Sequence, residues 1–218
     1  MENYETKLVN LMINDKPVIV KVYKDDLIGN HLEKRKYPYE RRYLKKCLLY
    51  MREGSESIVI DCGANIGNHS MFWSEYVSKI IAIEGFPPTF ELLKYNIENN
   101  GFTNIYPILA MLSSKSKEKF ITKIHKKNMG SNMFVPNTKG GINSNTLDVV
   151  LNCSKCDFIK LDVEGFELKV LEGAKEILSK FKPFLAIELH EKENREKINQ
   201  FLKFMGYQKD NYMFKGDI

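Results

Sequence analysis

From Ser57 to Met205 the chain repeatedly sets a short apolar run ahead of a longer amphipathic segment. Ile58–Asp61, Lys79–Glu84, Ile105–Met111, Asp157–Asp162 and Pro183–His190 read as strands. Ile66–Val77, Pro87–Asn99, Phe166–Lys180 and Glu193–Met205 carry apolar residues at helical spacing. Pro87-Pro88 suits a helix start, and Asn99-Asn100-Gly101 suits its end. This alternation is the pattern of an α/β fold with a mostly parallel sheet and helices on both faces. Such sheets hold ligands at the carboxyl ends of their strands. Four acids, Asp61, Glu84, Asp162 and Glu188, fall at or near such ends.

The first of these strands runs into Gly63-Ala64-Asn65-Ile66-Gly67-Asn68. Gly63 can take backbone angles closed to other residues, which lets a ligand approach the main chain. The spacing is Gly-x-x-x-Gly, not the dinucleotide fingerprint Gly-x-Gly-x-x-Gly. Taken alone, the two glycines fit a ligand-free strand-to-helix turn better than a nucleoside site. Glu84 lies about twenty residues further on, where a second strand delivers a carboxylate to ribose hydroxyls. Its two acceptor oxygens suit a vicinal diol.

Asp162-Val163-Glu164-Gly165 closes another strand. Asp162 and Glu164 can orient a hydroxyl or amine, or help hold a cation. Glu164 is equally read as an acid favoured by a helix N-terminus. Lys160 shares the face of Asp162 on a regular strand, and Glu188 shares that of His190. A histidine at such a strand end can take up a proton near neutral pH.

Residues 1–56 read as an appendage and 57–218 as the main unit of a single globular chain. Leu8–Ile13 and Val18–Tyr23 form a hairpin around Asn14-Asp15-Lys16-Pro17. Asp25–Tyr37 reads as loop or short helix, and Tyr39–Arg52 as helix begun near Pro38. The stretch Ser113–Asn145, rich in Lys, Ser, Asn and Gly, reads as an insertion with short strands at Lys119–Ile124 and Asn132–Val135. Thr146–Leu151 reads as a short helix, and Tyr207–Ile218 as one or two last strands. Cys153 and Cys156 lack the second pair or the nearby histidines of a zinc site, so all four cysteines read as reduced thiols. No apolar run reaches the ~20 residues of a membrane span, and the polar N-terminus is unlike a signal peptide. A cytoplasmic protein is the expectation. The net charge of +5 is mild and does not point to nucleic acid. No coiled-coil heptad run is present to suggest an oligomer.

The run Val59-Ile60-Asp61-Cys62-Gly63-Ala64-Asn65-Ile66-Gly67-Asn68-His69 resembles motif I of S-adenosylmethionine-dependent methyltransferases, and more narrowly the FkbM family. Ile83–Asn100 is similar to that family's second motif. Leu147-Asp148 with Asp157–Glu167 resembles its most diagnostic signature, continued by Gly173-Ala174 and Glu188-Leu189-His190. Gly85 stands where the family commonly has proline, and Asn128–Asn132 resembles its Asn-x-Gly region. The resemblance covers about Ser57 to Tyr207.

The resemblance implies a Rossmann-like class I methyltransferase fold, with a seven-stranded sheet whose last strand is reversed. It implies S-adenosyl-L-methionine as methyl donor, held by Asp61, Gly63, Ala64, Asn65, Gly67, Asn68, Glu84, Gly85 and Asp162. A saccharide or small-molecule hydroxyl is the acceptor class it suggests, with Asp162, Glu164, Glu188 and His190 as the catalytic candidates. His190 or Asp162 is the candidate base. A magnesium site on Asp162, Glu188 and His190 is a minority alternative. Methylation of RNA ribose and a non-catalytic nucleoside-binding scaffold are the other readings.

Overall fold

The computed structural model describes residues 4–51, 54–125, 127–189 and 192–217. The chain opens with a hairpin, β1 (Thr6–Ile13) and β2 (Lys16–Tyr23), followed by α1 (Leu27–Arg35) and α2 (Arg41–Leu48). Next come β3 (Gly54–Cys62), α3 (Asn68–Trp73), β4 (Val77–Glu84), α4 (Pro87–Asn99), β5 (Ile105–Leu109) and β6 (Met111–Leu112). The insertion carries β7 (Lys119–Lys123), β8 (Met133–Pro136) and β9 (Ile142–Asn145). The chain then forms α5 (Leu147–Val150), β10 (Phe158–Leu161), α6 (Glu167–Glu172), α7 (Lys175–Phe181), β11 (Phe184–Ile187), α8 (Lys192–Phe204) and β12 (Tyr212–Phe214).

The main sheet has the order β12-β11-β10-β3-β4-β5, and every pairing in it is parallel. The expected seventh, reversed strand is not found among the described residues. After α8 the chain crosses back and lays β12 directly beside β11 in parallel register, Leu185 opposite Tyr212. The sheet reverses its strand order between β3 and β10, the place where this fold class binds ligands.

Side chains alternate across the sheet. Val59, Phe158, Ala186 and Ile80 face one core, shared with the hairpin, α2, α3 and α4. Ile60, Ile159, Leu185 and Ile81 face a second, closed by α5 to α8 and part of the insertion. The first 56 residues therefore contribute to one of the two cores of the sheet. Asn96 on α4 and Asn100 just after it fix this join by imitating a neighbouring strand. Ile19 N–H donates to Asn100 Oδ1 (2.8 Å), and Asn100 Nδ2 donates back to Ile19 O (2.9 Å). Lys21 N–H donates to Asn96 Oδ1 (2.7 Å), while Asn96 Nδ2 donates to Lys21 O (3.1 Å) and to Ile66 O in the glycine loop (2.9 Å).

Several predicted elements differ: the strand expected over Ile105–Met111 is divided between β5 in the main sheet and β6 in another, and the helix expected over Tyr39–Arg52 is Arg41–Leu48. The helix expected over Ile66–Val77 spans only Asn68–Trp73. Gly67 precedes it in the left-handed region (φ 92°), and Val77 already belongs to β4. The helix expected over Phe166–Lys180 is two helices broken at Gly173-Ala174. A Cβ on Gly173 would lie 2.3 Å from Ser113 O, so this position is pressed against backbone. Asp148 then accepts from Glu176 N–H and Ile177 N–H (3.0 Å each) and so starts α7. The insertion is a second sheet, β6-β9-β7-β8, in which β9 was not anticipated. Among the described residues no helix is long and apolar enough to cross a membrane.

Asn96 is fully buried. Asn96→Ala should destabilise the fold by about 2–3 kcal/mol in urea denaturation, because it strands buried backbone groups of Lys21 and Ile66. A change below about 0.5 kcal/mol, the scale of an ordinary surface substitution, would contradict this bracing role.

Candidate functional site

Asp61 and Lys160 are register partners on β3 and β10, and both are buried. Lys160 Nζ donates to Asp61 Oδ1 (3.0 Å) and to Gly63 O (2.9 Å), and it lies 3.3 Å from Asp162 Oδ2. Ser70 Oγ on α3 donates to the other Asp61 oxygen (2.7 Å). Burial disfavours the Lys160 ammonium, but Asp61, Asp162 and Glu188 outweigh it and raise its pKa above the ordinary lysine value. One ammonium thus ties together two strand ends and the start of the glycine loop.

Above this brace Gly63 has φ 78°, and a Cβ there would fall 1.8 Å from Asp162 O. No other residue fits between the β3 and β10 ends. Gly63 N–H and Ala64 N–H both donate to Ile83 O (2.9 Å each), which ties the loop to β4. Glu84, at the end of β4, accepts from Asn65 N–H through Oε2 (2.9 Å) and from Phe86 N–H through Oε1 (2.8 Å). Burial nevertheless raises its pKa above the ordinary glutamate value.

Glu84 lies in a cavity walled by Gly85, Phe86, Ala110, Met111 and Phe166 from the main fold, and by Met129, Asn132 and Phe134 from the insertion. Gly85 leaves room for Phe134, whose ring would be 3.0 Å from a Cβ at that position. A second cavity adjoins the first, and Gly63, Asn65, Gly130, Asp162 and Glu164 line both. The second is polar, with Tyr39, Glu40, His69, Lys160, Glu188 and Lys215 on its walls.

The polar cavity is organised by Lys215, which follows β12. Its ammonium contacts Glu188 Oε2 (2.6 Å) and Glu40 Oε1 (2.5 Å). His69 Nε2 lies 3.3 Å from Glu40 Oε2, a charge contact when the imidazole is protonated but not an aligned hydrogen bond. Burial works against ionisation of Glu40, but His69 and Lys215 together hold its carboxyl below the ordinary range. Glu188 is shifted upward, first by burial and then by the nearby Asp162 carboxylate. Glu40, Asn65 and Glu164 line this cavity in the left-handed region, at φ 60°, 52° and 51°. Non-glycine residues held this way cluster where neighbouring structure imposes the geometry on a functional surface.

Of the residues expected from sequence, Gly63, Ala64, Asn65, Asn68, Glu84, Gly85, Asp162, Glu164 and Glu188 line one or both cavities. Asp61 lies beneath the cleft as the anchor of Lys160. Gly67 packs toward Leu93, whose Cδ1 would sit 2.9 Å from a Cβ there. The Asn68 side chain is bonded in both directions to the Tyr39 backbone: Tyr39 N–H donates to it (2.9 Å) and it donates to Tyr39 O (3.1 Å). His190 lies outside the described residues. Sequence reasoning missed Tyr39, Glu40, His69 and Lys215, and the insertion residues Met129, Asn132 and Phe134. Only Lys160, by alternation with Asp162, and the similarity over Asn128–Asn132 gave a signal for any of the wall that the sequence reading left unassigned.

The sequence pattern of a known family, the methyltransferase FkbM domain, matches residues 61–209, more than half of the chain. The chain belongs to the FkbM methyltransferase family. A solved FkbM methyltransferase from Methylobacillus flagellatus KT is 21% identical with a TM-score of 0.51, the match covering 70% of this chain and 38% of that one. A precorrin-6y C5,15-methyltransferase from Geobacter metallireducens GS-15 is 16% identical over 80% of this chain and 76% of that one, with a TM-score of 0.52. A precorrin 8W decarboxylase from Methanobacterium thermoautotrophicum is 13% identical over 78% and 74%, with a TM-score of 0.54. At these identities the likeness is one of fold, here the class I methyltransferase fold. No curated protein matches the chain significantly.

FkbM membership implies S-adenosylmethionine as methyl donor, and the cleft fits such a group. A carboxylate at the end of β4 suits a ribose diol, and an apolar slot lined by Met111 and Phe166 suits a base. Among the described residues no cluster of three or more His, Cys, Asp or Glu side chains is arranged to hold a metal ion.

The brace below the cleft can be tested by stability. Lys160→Met should cost about 3–5 kcal/mol in denaturant titration, because it leaves Asp61 buried without its cation. Adding Asp61→Asn should restore part of that loss. Losses that simply add would contradict the pairing.

Proposed function

We propose that the protein is an S-adenosylmethionine-dependent O-methyltransferase acting on a hydroxyl of a sugar or other small polyhydroxylated molecule. The reading is carried by the polar cavity, lined with Asp162, Glu164 and Glu188, that opens directly from the nucleoside-shaped one. Closely spaced carboxylates and amides offer many hydrogen-bonding atoms to a hydroxylated acceptor.

S-adenosylmethionine supplies, when bound, a methyl group on a sulfonium that is a good leaving group. Glu84 holds the ribose, while Gly63, Ala64 and Asn65 shape the wall around the donor. Glu188 takes up the proton released by the acceptor hydroxyl as the oxygen–methyl bond forms and the sulfur–methyl bond breaks. Its raised pKa suits a proton acceptor. Lys215 and Glu40 fix its orientation. Lys160 beside Asp162 and Lys215 beside Glu188 supply the positive charge a cation would bring, so the reaction is proposed to proceed without magnesium. Four carboxylates, Glu40, Asp162, Glu164 and Glu188, line the cavity against two lysines and one histidine. That balance favours a neutral acceptor over a phosphate-rich strand of RNA.

The test uses labelled S-adenosylmethionine with a panel of saccharides and small hydroxylated molecules. A labelled methyl ether, formed equally well in the presence of a chelator, is expected. Glu84→Ala should weaken donor binding by about tenfold or more, the loss of roughly 1.4 kcal/mol or more expected for a charged hydrogen-bond partner. Glu188 must ionise to accept a proton and its pKa is raised. The rate should therefore fall as pH drops through a value above the ordinary glutamate range, and Glu188→Gln should abolish that limb. Unchanged donor affinity in Glu84→Ala, or label appearing only on nitrogen, would overturn the assignment.

A further inference from the structure

Asn132 is 7% exposed and lines the cavity that contains Glu84. Its Oδ1 accepts from His125 N–H at 2.7 Å, which settles the orientation of the amide. The atom left over, Nδ2, is buried and has no hydrogen-bond partner among the described residues. A buried amide donor without an acceptor is costly, and such groups are ordinarily satisfied in native structures. A group bound in the cavity that Asn132 lines can supply that acceptor.

The turn that carries this residue is firmly placed. Met129 N–H donates to Asp26 Oδ1 (2.8 Å), while Asp26 Oδ2 accepts from Ile28 N–H (3.0 Å) and Gly29 N–H (3.2 Å). Ser131 N–H and Ser131 Oγ both donate to Asn128 O, at 3.0 and 2.9 Å. Gly130 packs against Asn65, whose Nδ2 would be 2.9 Å from a Cβ there. Asn132 is therefore held at a fixed position on the wall of the cavity that Gly85 and Ala110 also line.

We propose that Asn132 reads the base of the bound nucleoside, its Nδ2 donating a hydrogen bond to one ring nitrogen of adenine. Adenine offers ring nitrogens as acceptors, and a fixed donor facing one of them penalises a base that lacks it. The insertion thus acts as a specificity element for the donor as well as a roof over it. This inference rests on the cleft being an S-adenosylmethionine site.

The experiment measures calorimetric binding of S-adenosylhomocysteine and its 1-deaza, 3-deaza and 7-deaza analogues to the wild-type protein and to Asn132→Asp. The aspartate keeps an acceptor for His125 N–H and removes the donor, and thermal melting checks that the variant folds. Wild-type protein should lose about tenfold in affinity for one of the three analogues, the scale of one buried hydrogen bond. Asn132→Asp should bind S-adenosylhomocysteine about tenfold more weakly, and should no longer distinguish it from that analogue. Wild-type affinity unaffected by all three deaza changes overturns the proposal, as does discrimination that survives in Asn132→Asp. Wild-type protein that binds none of the four ligands overturns the cofactor reading, and the role of Asn132 with it.

Discussion

The cleft depends on one buried ammonium. Lys160 reaches from β10 to Asp61 on β3 and to the carbonyl of Gly63, and comes within 3.3 Å of Asp162. A lone charge at this depth would be expelled or neutralised, whereas here it is surrounded by acceptors whose own desolvation it offsets. The geometry that results is tight. The β3 and β10 ends approach so closely that only a glycine fits at position 63. The loop that emerges then has to turn under Ile83 and place the Asn65 N–H against Glu84. Asp61, which a motif-level reading makes a ligand-binding acid, acts one layer lower.

Segments distant in sequence complete the cleft. Asp26 holds the insertion turn, Glu40 and Tyr39 come from the stretch before α2, and Lys215 comes from the turn after β12. Asn96 on α4 joins the hairpin to the glycine loop through Lys21 and Ile66. The front of the chain therefore sets the wall of the polar cavity, and the insertion sets the roof of the other. The strand ends and the loops that follow them line both cavities, and the added segments close them.

Features governed by local chemistry were legible in the sequence. Helix α4 begins at Pro87 and ends at Asn99 as its punctuation indicates. Glu84 and Asp162 are found at strand ends because strand periodicity and the following glycine are both local signals. What was not legible depends on tertiary contact. The apolar spacing from Leu168 to Leu178 continues across Gly173, yet the helix breaks there, where the Gly173 carbonyl accepts from Asp148 N–H, a residue distant in sequence. The side chains of Glu40 and Lys215 carry no motif of their own, and only the packing of the front segment and the crossing of β12 beside β11 bring them to the cleft. The reversed seventh strand is implied by the family resemblance and by no residue of the chain, and Tyr212–Phe214 pairs parallel to β11.

In the proposed function the β3, β4 and β10 ends and the insertion form a single nucleoside-to-acceptor cleft. A crystal structure with S-adenosylhomocysteine should show ribose hydroxyls on the Glu84 carboxylate, the base between Met111 and Phe166 beneath the insertion, and the amino-acid end directed past Asn65 toward the polar cavity. A nucleoside bound elsewhere, or one held in the cleft with its ribose away from Glu84, would contradict it.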